Sequence, residues 1–293
     1  MNVTLTNDVL SVVISTHGAE LQSIVNIRTG EQYLWQGDSA FWGRRSPVLF
    51  PIVGSVWNGE YRMDGNVYRL GQHGFARDME FAVVDSAEEN EAWFTLVSDD
   101  STMKLYPRSF RLDIGYALVG ERIEVMWRVH NTDTKEMVFQ IGAHPAFNYP
   151  DFNASDPIHG YFCLGETGPQ TQLVAEKGCI GDETADIALD ADGMLPITAT
   201  TFERDALVIG DSKVHRVSLL SKKREPYVTL FFDAPLVGLW SKSAAAPFVC
   251  IEPWWGRADR VNFCGEFAER QHVNSLAPGE TFSASYLILI DNL

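Results

Sequence analysis

The 293-residue sequence predicts an all-β protein of many antiparallel strands, and three observations carry that prediction. Apolar residues recur two apart, the period of a half-buried strand, through most of the chain. The runs are short and are separated by turn signals such as Asp64-Gly65-Asn66 and Pro278-Gly279. No rhythm of strands alternating with helices appears, so a doubly wound parallel sheet is not expected.

Taken in order, strand-like runs fall at 10–14, 21–27, 67–70, 81–84 and 93–97. The clearest pair follows. Phe110, Leu112, Ile114, Tyr116 and Leu118 alternate with polar or small residues, and after Val119-Gly120-Glu121 the alternation resumes at Ile123, Val125, Trp127 and Val129, as in two strands joined by a tight turn. Further runs lie at 138–141, 207–209, 214–220, 228–232 and 248–251, and the chain closes on Phe282, Ala284, Tyr286, Ile288 and Ile290, again two apart. Helical periodicity is confined to short turns over 102–106 and 266–273. Residues 165–196, rich in Gly, Asp and Glu, read as a long excursion from one large β domain, with a linker between two domains as the alternative.

Composition narrows the function classes. At 45% hydrophobic and 12% aromatic the chain can bury a large core, while a formal charge of -16 leaves no basic surface for nucleic acid or an anionic membrane. Lys222-Lys223-Arg224 is the nearest thing to a basic cluster and reads as an exposed turn. The N-terminus MNVTLTNDVLSVVIST has neither a basic n-region nor an apolar h-region, and no run is long enough to span a bilayer, so a cytoplasmic protein is expected. Cys163, Cys179, Cys250 and Cys264 have no CxxC spacing, so neither a zinc knuckle nor a disulfide framework is expected.

GxSxG, GxxxxGK[ST], GxGxxG and HExxH are all absent. Three stretches could carry chemistry. In Gly71-Gln72-His73-Gly74-Phe75-Ala76-Arg77-Asp78, a histidine beside glycine leaves backbone room for a ligand that Arg77 could also reach; a loop histidine bonded to backbone is the plainer reading. In QIGAHPAFNY, residues 140–149, Pro145 biases His144 towards an extended conformation at a strand end, which suits either a site or a satisfied structural histidine. In Ile251-Glu252-Pro253-Trp254-Trp255, a carboxylate ending an apolar run beside two tryptophans would be desolvated and its pKa raised towards that of a useful base; pairing with Arg257 or Arg260 is the structural alternative.

Together and in this order, SPVLFPIVGSVWNGEY at 46–61, GQHGFARD at 71–78, IGAHPAFN at 141–148, LWSK at 239–242 and IEPWWGRADR at 251–260 resemble the aldose 1-epimerase (mutarotase) superfamily, especially its LacX-like and hexose-6-phosphate-mutarotase-like branch. The resemblance implies one β-supersandwich domain over 1–293 with an open cleft, interconverting α and β anomers of a free aldose. By motif position it implies His144 as general acid, Glu252 as general base, His73 and Arg77 as substrate-binding residues, and Asp205 as the substrate-binding acid with Glu203 as its alternative. Arg44 and Arg45 both lie near the position of a phosphate-binding arginine, and Arg45 is carried forward.

The chemistry asks for a similar set. Opening a hemiacetal ring removes the proton of the anomeric hydroxyl while the ring oxygen receives one, so one base and one acid suffice, and no metal or other cofactor is required. A carboxylate Glu252 and an imidazolium His144 fill those roles. Hydroxyl-rich substrates call for hydrogen-bonding side chains and an aromatic floor, which His73, Asp205, Trp254 and Trp255 could supply, while Arg44, Arg45, Arg77 and Lys242 would favour a sugar phosphate if they gather. The expected partner is a small sugar or sugar phosphate, bound by a monomer or homodimer. Two rivals remain at this stage: a glycosidic-bond-cleaving enzyme using a carboxylate pair, and a carbohydrate-binding or sensor protein without turnover.

Overall fold

The computed structural model describes residues 1–165, 170–176, 178–210 and 214–291. Its two main sheets are antiparallel throughout. The larger has nine strands in the spatial order Met194–Ile197, Gly160–Cys163, Arg216–Leu220, Pro226–Phe232, Thr281–Ile290, Arg122–Asn131, Phe110–Val119, Glu91–Val97 and Ala82–Val84. The second runs Cys179–Ile187, Gln170–Glu176, Leu207–Gly210, Leu236–Trp240, Phe248–Trp255, Ile141–Ala143 and Val48–Leu49, with Ala146–Asn148 as an eighth strand beside Phe248–Trp255. A three-stranded sheet of Asn2–Thr6, Leu10–Ser15 and Leu21–Asn26 and two strand pairs complete the β-supersandwich.

Period-two patterning produces this arrangement. In the central hairpin, Leu118, Tyr116, Ile114 and Leu112 stand opposite Ile123, Val125, Trp127 and Val129, and all eight are buried. The turn between the strands is made by Gly120, at a φ of 57°, and Glu121. Trp127 meets Trp255 of the second sheet edge-on, with ring centroids 5.5 Å apart, so the inner faces of the two sheets join there. A pair of that geometry contributes about 0.5–1.5 kcal/mol beyond its buried area. The largest buried cluster includes residues from Leu5 to Ile290.

The single α-helix among the described residues, Asp100–Leu105, is capped by Asp99, whose side chain accepts from the Ser101 and Thr102 amides while its own amide donates to Thr102 Oγ1. The expected turn near 266 is the short 3₁₀ segment Phe267–Glu269. The greater departure from sequence expectation concerns 165–196. Apart from 166–169 and 177, which lie outside the described residues, this stretch forms the edge hairpin Gln170–Glu176 and Cys179–Ile187 and the strand Met194–Ile197. Its polar residues are those of strands at sheet edges, half exposed to solvent.

Candidate active site

A cleft of about 560 Å³ opens on one face of the eight-stranded sheet. The central strand Phe248–Trp255 supplies much of its floor. Its side chains alternate, with Phe248, Cys250, Glu252 and Trp254 on the cleft side and Val249, Ile251 and Trp255 in the main core. Trp254 therefore lines the cleft, whereas Trp255 is turned away from it against Trp127.

On one flank, Gly238 stands opposite Glu252 and Trp240 opposite Cys250. On the other, the ladder pairs Gly142 with Trp254, lapses, and resumes with Ala146 opposite Cys250 in unchanged register. His144 consequently stands across from Glu252, inside the lapse. Pro145 and Pro253, which have no N–H to give a ladder, fall in the same gap. His144 thus interrupts its ladder where the sequence suggested that it ends one. Its Nε2 lies 3.3 Å from Glu252 Oε2. Glycine on both flanks makes room: a Cβ on Gly142 would lie 2.8 Å from the Trp254 ring, and one on Gly238 2.6 Å from it.

His73 is the second histidine, its ring 5.6 Å from that of His144 and nearly perpendicular to it. Its backbone is left-handed, with a φ of 65°, a conformation that disfavours a non-glycine residue by about 1–3 kcal/mol. The surroundings hold it there: its amide donates to the Gly54 carbonyl and its Nδ1 accepts from the Gly54 amide at 3.1 Å. With Nδ1 accepting, a neutral His73 carries its proton on Nε2 and offers a donor. Gly74 follows because a side chain there would strike the Phe50 carbonyl, 2.2 Å from the position of its Cβ.

Two aromatic residues that sequence reasoning did not single out complete the wall. Trp42 stacks on the His144 ring at 4.7 Å and 27°, and Trp240 meets the same ring edge-on at 5.5 Å. Trp42 is positioned by a tight turn at Asp38 and by the Trp35 indole, which donates to the Trp42 carbonyl.

Of the charged candidates, Arg77, Asp205 and Lys242 line the cleft, and Glu203 and Arg45 are not among its lining residues. Asp205 has the second left-handed backbone at the site, with a φ of 80°, and caps its own turn by accepting from the Ala206 amide. Arg45 is directed elsewhere, with Nη1 on Gln22 and its side chain against Gly37. Arg44 is the nearer of the two arginines: it pairs with Asp78 at 2.9 Å, and Asp78 also lies 3.7 Å from Arg77. The structural alternative for Glu252 fails, because the ionisable group beside it is His144, and Arg260 pairs with Asp182 instead.

Electrostatically, burial dominates. It raises the Glu252 pKa well above the usual carboxylate range, with the Asp205 charge adding to the rise; Trp254, whose Nε1 makes no hydrogen bond of standard geometry, lowers it. Burial lowers His144 to about 3, and Arg77 and Arg44 push in the same direction while a backbone interaction opposes them. His73 is also lowered, by burial, His144 and the two arginines. These directions oppose the imidazolium and carboxylate assigned from sequence: the His144–Glu252 pair holds one proton, and burial favours placing it on Glu252. His144 Nδ1, Glu252 Oε2, Trp254 Nε1 and Arg77 Nε are buried without a hydrogen-bond partner, a concentration of unsatisfied groups expected of a site that receives a polar ligand.

Comparison with known proteins gives the family and the fold. The family model described as aldose 1-epimerase matches residues 1–272. The chromosomal LacX protein of Lactococcus lactis is 31% identical, with 100% of both chains covered. Among solved structures, a galactose mutarotase related enzyme from Lactobacillus acidophilus superposes with a TM-score of 0.92 at 34% identity, over 100% of this chain and 98% of its own. A galactose mutarotase-like protein from Lactobacillus casei gives the same TM-score at 28% identity, over 99% and 100% of the two chains.

Proposed function

The chain belongs to the aldose 1-epimerase family, and from that premise we propose that it interconverts the α and β anomers of a free hexose or hexose 6-phosphate by opening and reclosing the hemiacetal ring, with residues 1–293 acting as one domain. The observation that carries this reading is the direct opposition of His144 and Glu252, 3.3 Å apart on the floor of a cleft sized for a small ligand.

One shared proton is what the reaction consumes and returns. Glu252 takes the proton of the anomeric hydroxyl, His144 gives one to the ring oxygen, and the C1–O5 bond breaks to leave an open-chain aldehyde. Rotation about C1–C2 presents the other face of the carbonyl, and the roles reverse on reclosure. The pair holds a single proton before and after. Burial favours that proton on Glu252, so the charge-separated form needed for ring opening is reached when it passes to His144. The substrate hydroxyls and the His73 Nε2–H donor stabilise that form by hydrogen bonding. Trp42, stacked on the imidazole, favours its cationic state. Asp205, Arg77 and Trp254 hold the sugar, and Arg77 and Lys242, which line the same cleft, support an anionic group on it.

The rivals are less well supported. A glycosidase would use a carboxylate pair with the histidine elsewhere; Asp205 does line the cleft, but Glu252 faces His144 at 3.3 Å, and Asp259 is committed to Arg270 and to the Trp57 amide. A binding protein has no need of an acid and a base in contact. Exchange spectroscopy by NMR on a panel of aldoses and their 6-phosphates tests the proposal: enzyme-dependent exchange between α and β signals is expected for at least one sugar, and exchange no faster than buffer for every member would reject it. Arg77→Met should weaken binding of a phosphorylated member more than that of its unphosphorylated counterpart.

A further inference from the structure

We propose that His144, Cys250 and Glu252 form a binding site for a borderline or soft divalent cation such as zinc, and that occupation of this site shuts down the acid/base pair. The three donor atoms, one imidazole nitrogen, one thiol sulfur and one carboxylate oxygen, all lie within 4.8 Å of one another. Strand geometry puts them there. Cys250 and Glu252 are two apart and share a face of Phe248–Trp255, and His144 stands across from Glu252 on the neighbouring strand.

The spacing suits a metal. Ligand bonds of about 2.0–2.3 Å in a tetrahedral zinc site place donor atoms about 3.3–3.7 Å apart; His144 Nε2 and Glu252 Oε2 already stand at 3.3 Å, and the thiol, within 4.8 Å of both, has to draw in by up to about 1 Å. An N/S/O donor set selects zinc, cobalt or copper over magnesium or calcium, which take oxygen ligands. A second observation points the same way: Glu252 Oε2 is buried and has no hydrogen-bond partner, so a coordination bond would satisfy an atom that the protein leaves unsatisfied. The cleft side of the trio, where His144 and Glu252 line the cavity, leaves a fourth position for water.

The exchange of partners balances. The thiol gives up its proton, the His144–Glu252 pair gives up the one it holds, and the cation takes their place as thiolate, imidazole and carboxylate bind it. With no proton left on the pair, neither group can protonate a ring oxygen. Cation binding stands independently of the anomerase reading; only the loss of activity rests on it.

Cobalt(II) is the probe, used on a chain carrying Cys163→Ser and Cys264→Ser to remove the two thiols that are not buried. Thiolate-to-cobalt charge-transfer absorption should develop with one cobalt per chain and disappear on adding Cys250→Ser. In the anomer-exchange assay zinc should inhibit, a chelator should restore activity, and Cys250→Ser should keep its zinc-free activity. Loss of a ligand should raise the zinc needed for half-inhibition about tenfold or more. Should the serine variant fail to fold, Cys250→Ala serves in its place. Absence of the charge-transfer band overturns the proposal, as does its persistence without Cys250, which would move the site to Cys179 in the cleft wall. Equal zinc sensitivity with and without Cys250 also overturns it. A protein inactive on every sugar would still report through the cobalt spectrum, so the two proposals fail separately.

Discussion

Two pairs of ionisable side chains are buried in this molecule, and they are built to opposite ends. Arg270 and Asp259 are in direct hydrogen-bonded contact with side chains 1% and 2% exposed; Asp259 also accepts from the Trp57 amide, and Arg270 donates to the Arg257 carbonyl. Opposite charges meet there in a bonded network that leaves Arg270 Nη1 without a partner, and the network stitches the segment around Trp57 to the chain beyond Gly256. His144 and Glu252 are nearly as buried, yet each leaves a polar atom without a partner, and burial drives both towards their neutral forms. A buried pair of opposite charges in direct hydrogen-bonded contact holds the fold; one that shares a single proton without such contact is available for chemistry, at some expense in stability.

Breaking the structural pair should have the largest effect on folding. Asp259→Ala strands the Arg270 charge and should lower stability by about 3–5 kcal/mol, read as a lower midpoint in urea unfolding. If Asp259→Ala unfolds like wild type, the contrast between the pairs is wrong. Smaller is the effect of Trp42→Leu, which removes the aromatic face from His144. A ten-fold fall in exchange rate corresponds to about 1.4 kcal/mol, near the strength of a partly buried cation–π contact. The fold should survive, because Trp42 is only half buried. An unchanged rate would show that the stacking does not help His144 carry charge.

The smallest effect runs in the opposite direction. Glu252 has a raised pKa in the folded chain, so its contribution to stability is fully present below its unfolded pKa near 4.5 and is lost as pH rises through the folded value. Glu252→Gln has no such loss and should be the more stable protein at pH 7, by about 1 kcal/mol, with the advantage vanishing below pH 4.5. His144 contributes on the acid side. Its folded pKa of about 3 lies below the unfolded 6.5, so the unfolded state binds the extra proton first, and stability falls as pH drops between those values. Urea melts of the wild type and of His144→Gln from pH 7 to pH 4 should converge as the pH falls. Parallel curves would remove His144 from the account.

Much of this was legible in the sequence because the information was local. Alternation from Phe110 to Val129 specified a hairpin and its buried face, and the motifs around His73, His144 and Glu252 marked cleft residues. What escaped depends on cross-strand register, which no local window contains. Trp42 reaches His144 from a separate loop, and Cys250 reads as one apolar residue in a run until Ala146 and Trp240 are seen on either side. Arg45, adjacent to Arg44, sits in a bend that turns its side chain onto Gln22 and against Gly37, a placement no local pattern announces. One signal was present and could have been read: His144-Pro145 and Glu252-Pro253 each place a proline directly after the functional residue. Two ladder-breaking dipeptides facing each other across adjacent strands mark where pairing must lapse.

The most direct test of the central claim is anomer exchange by NMR on wild type, Glu252→Gln and His144→Ala with the best sugar of the panel. Each substitution should slow catalysed exchange by about 10²–10⁴-fold while circular dichroism shows the fold intact. If either variant, properly folded, exchanges anomers at the wild-type rate, the shared proton of His144 and Glu252 is not what opens the ring.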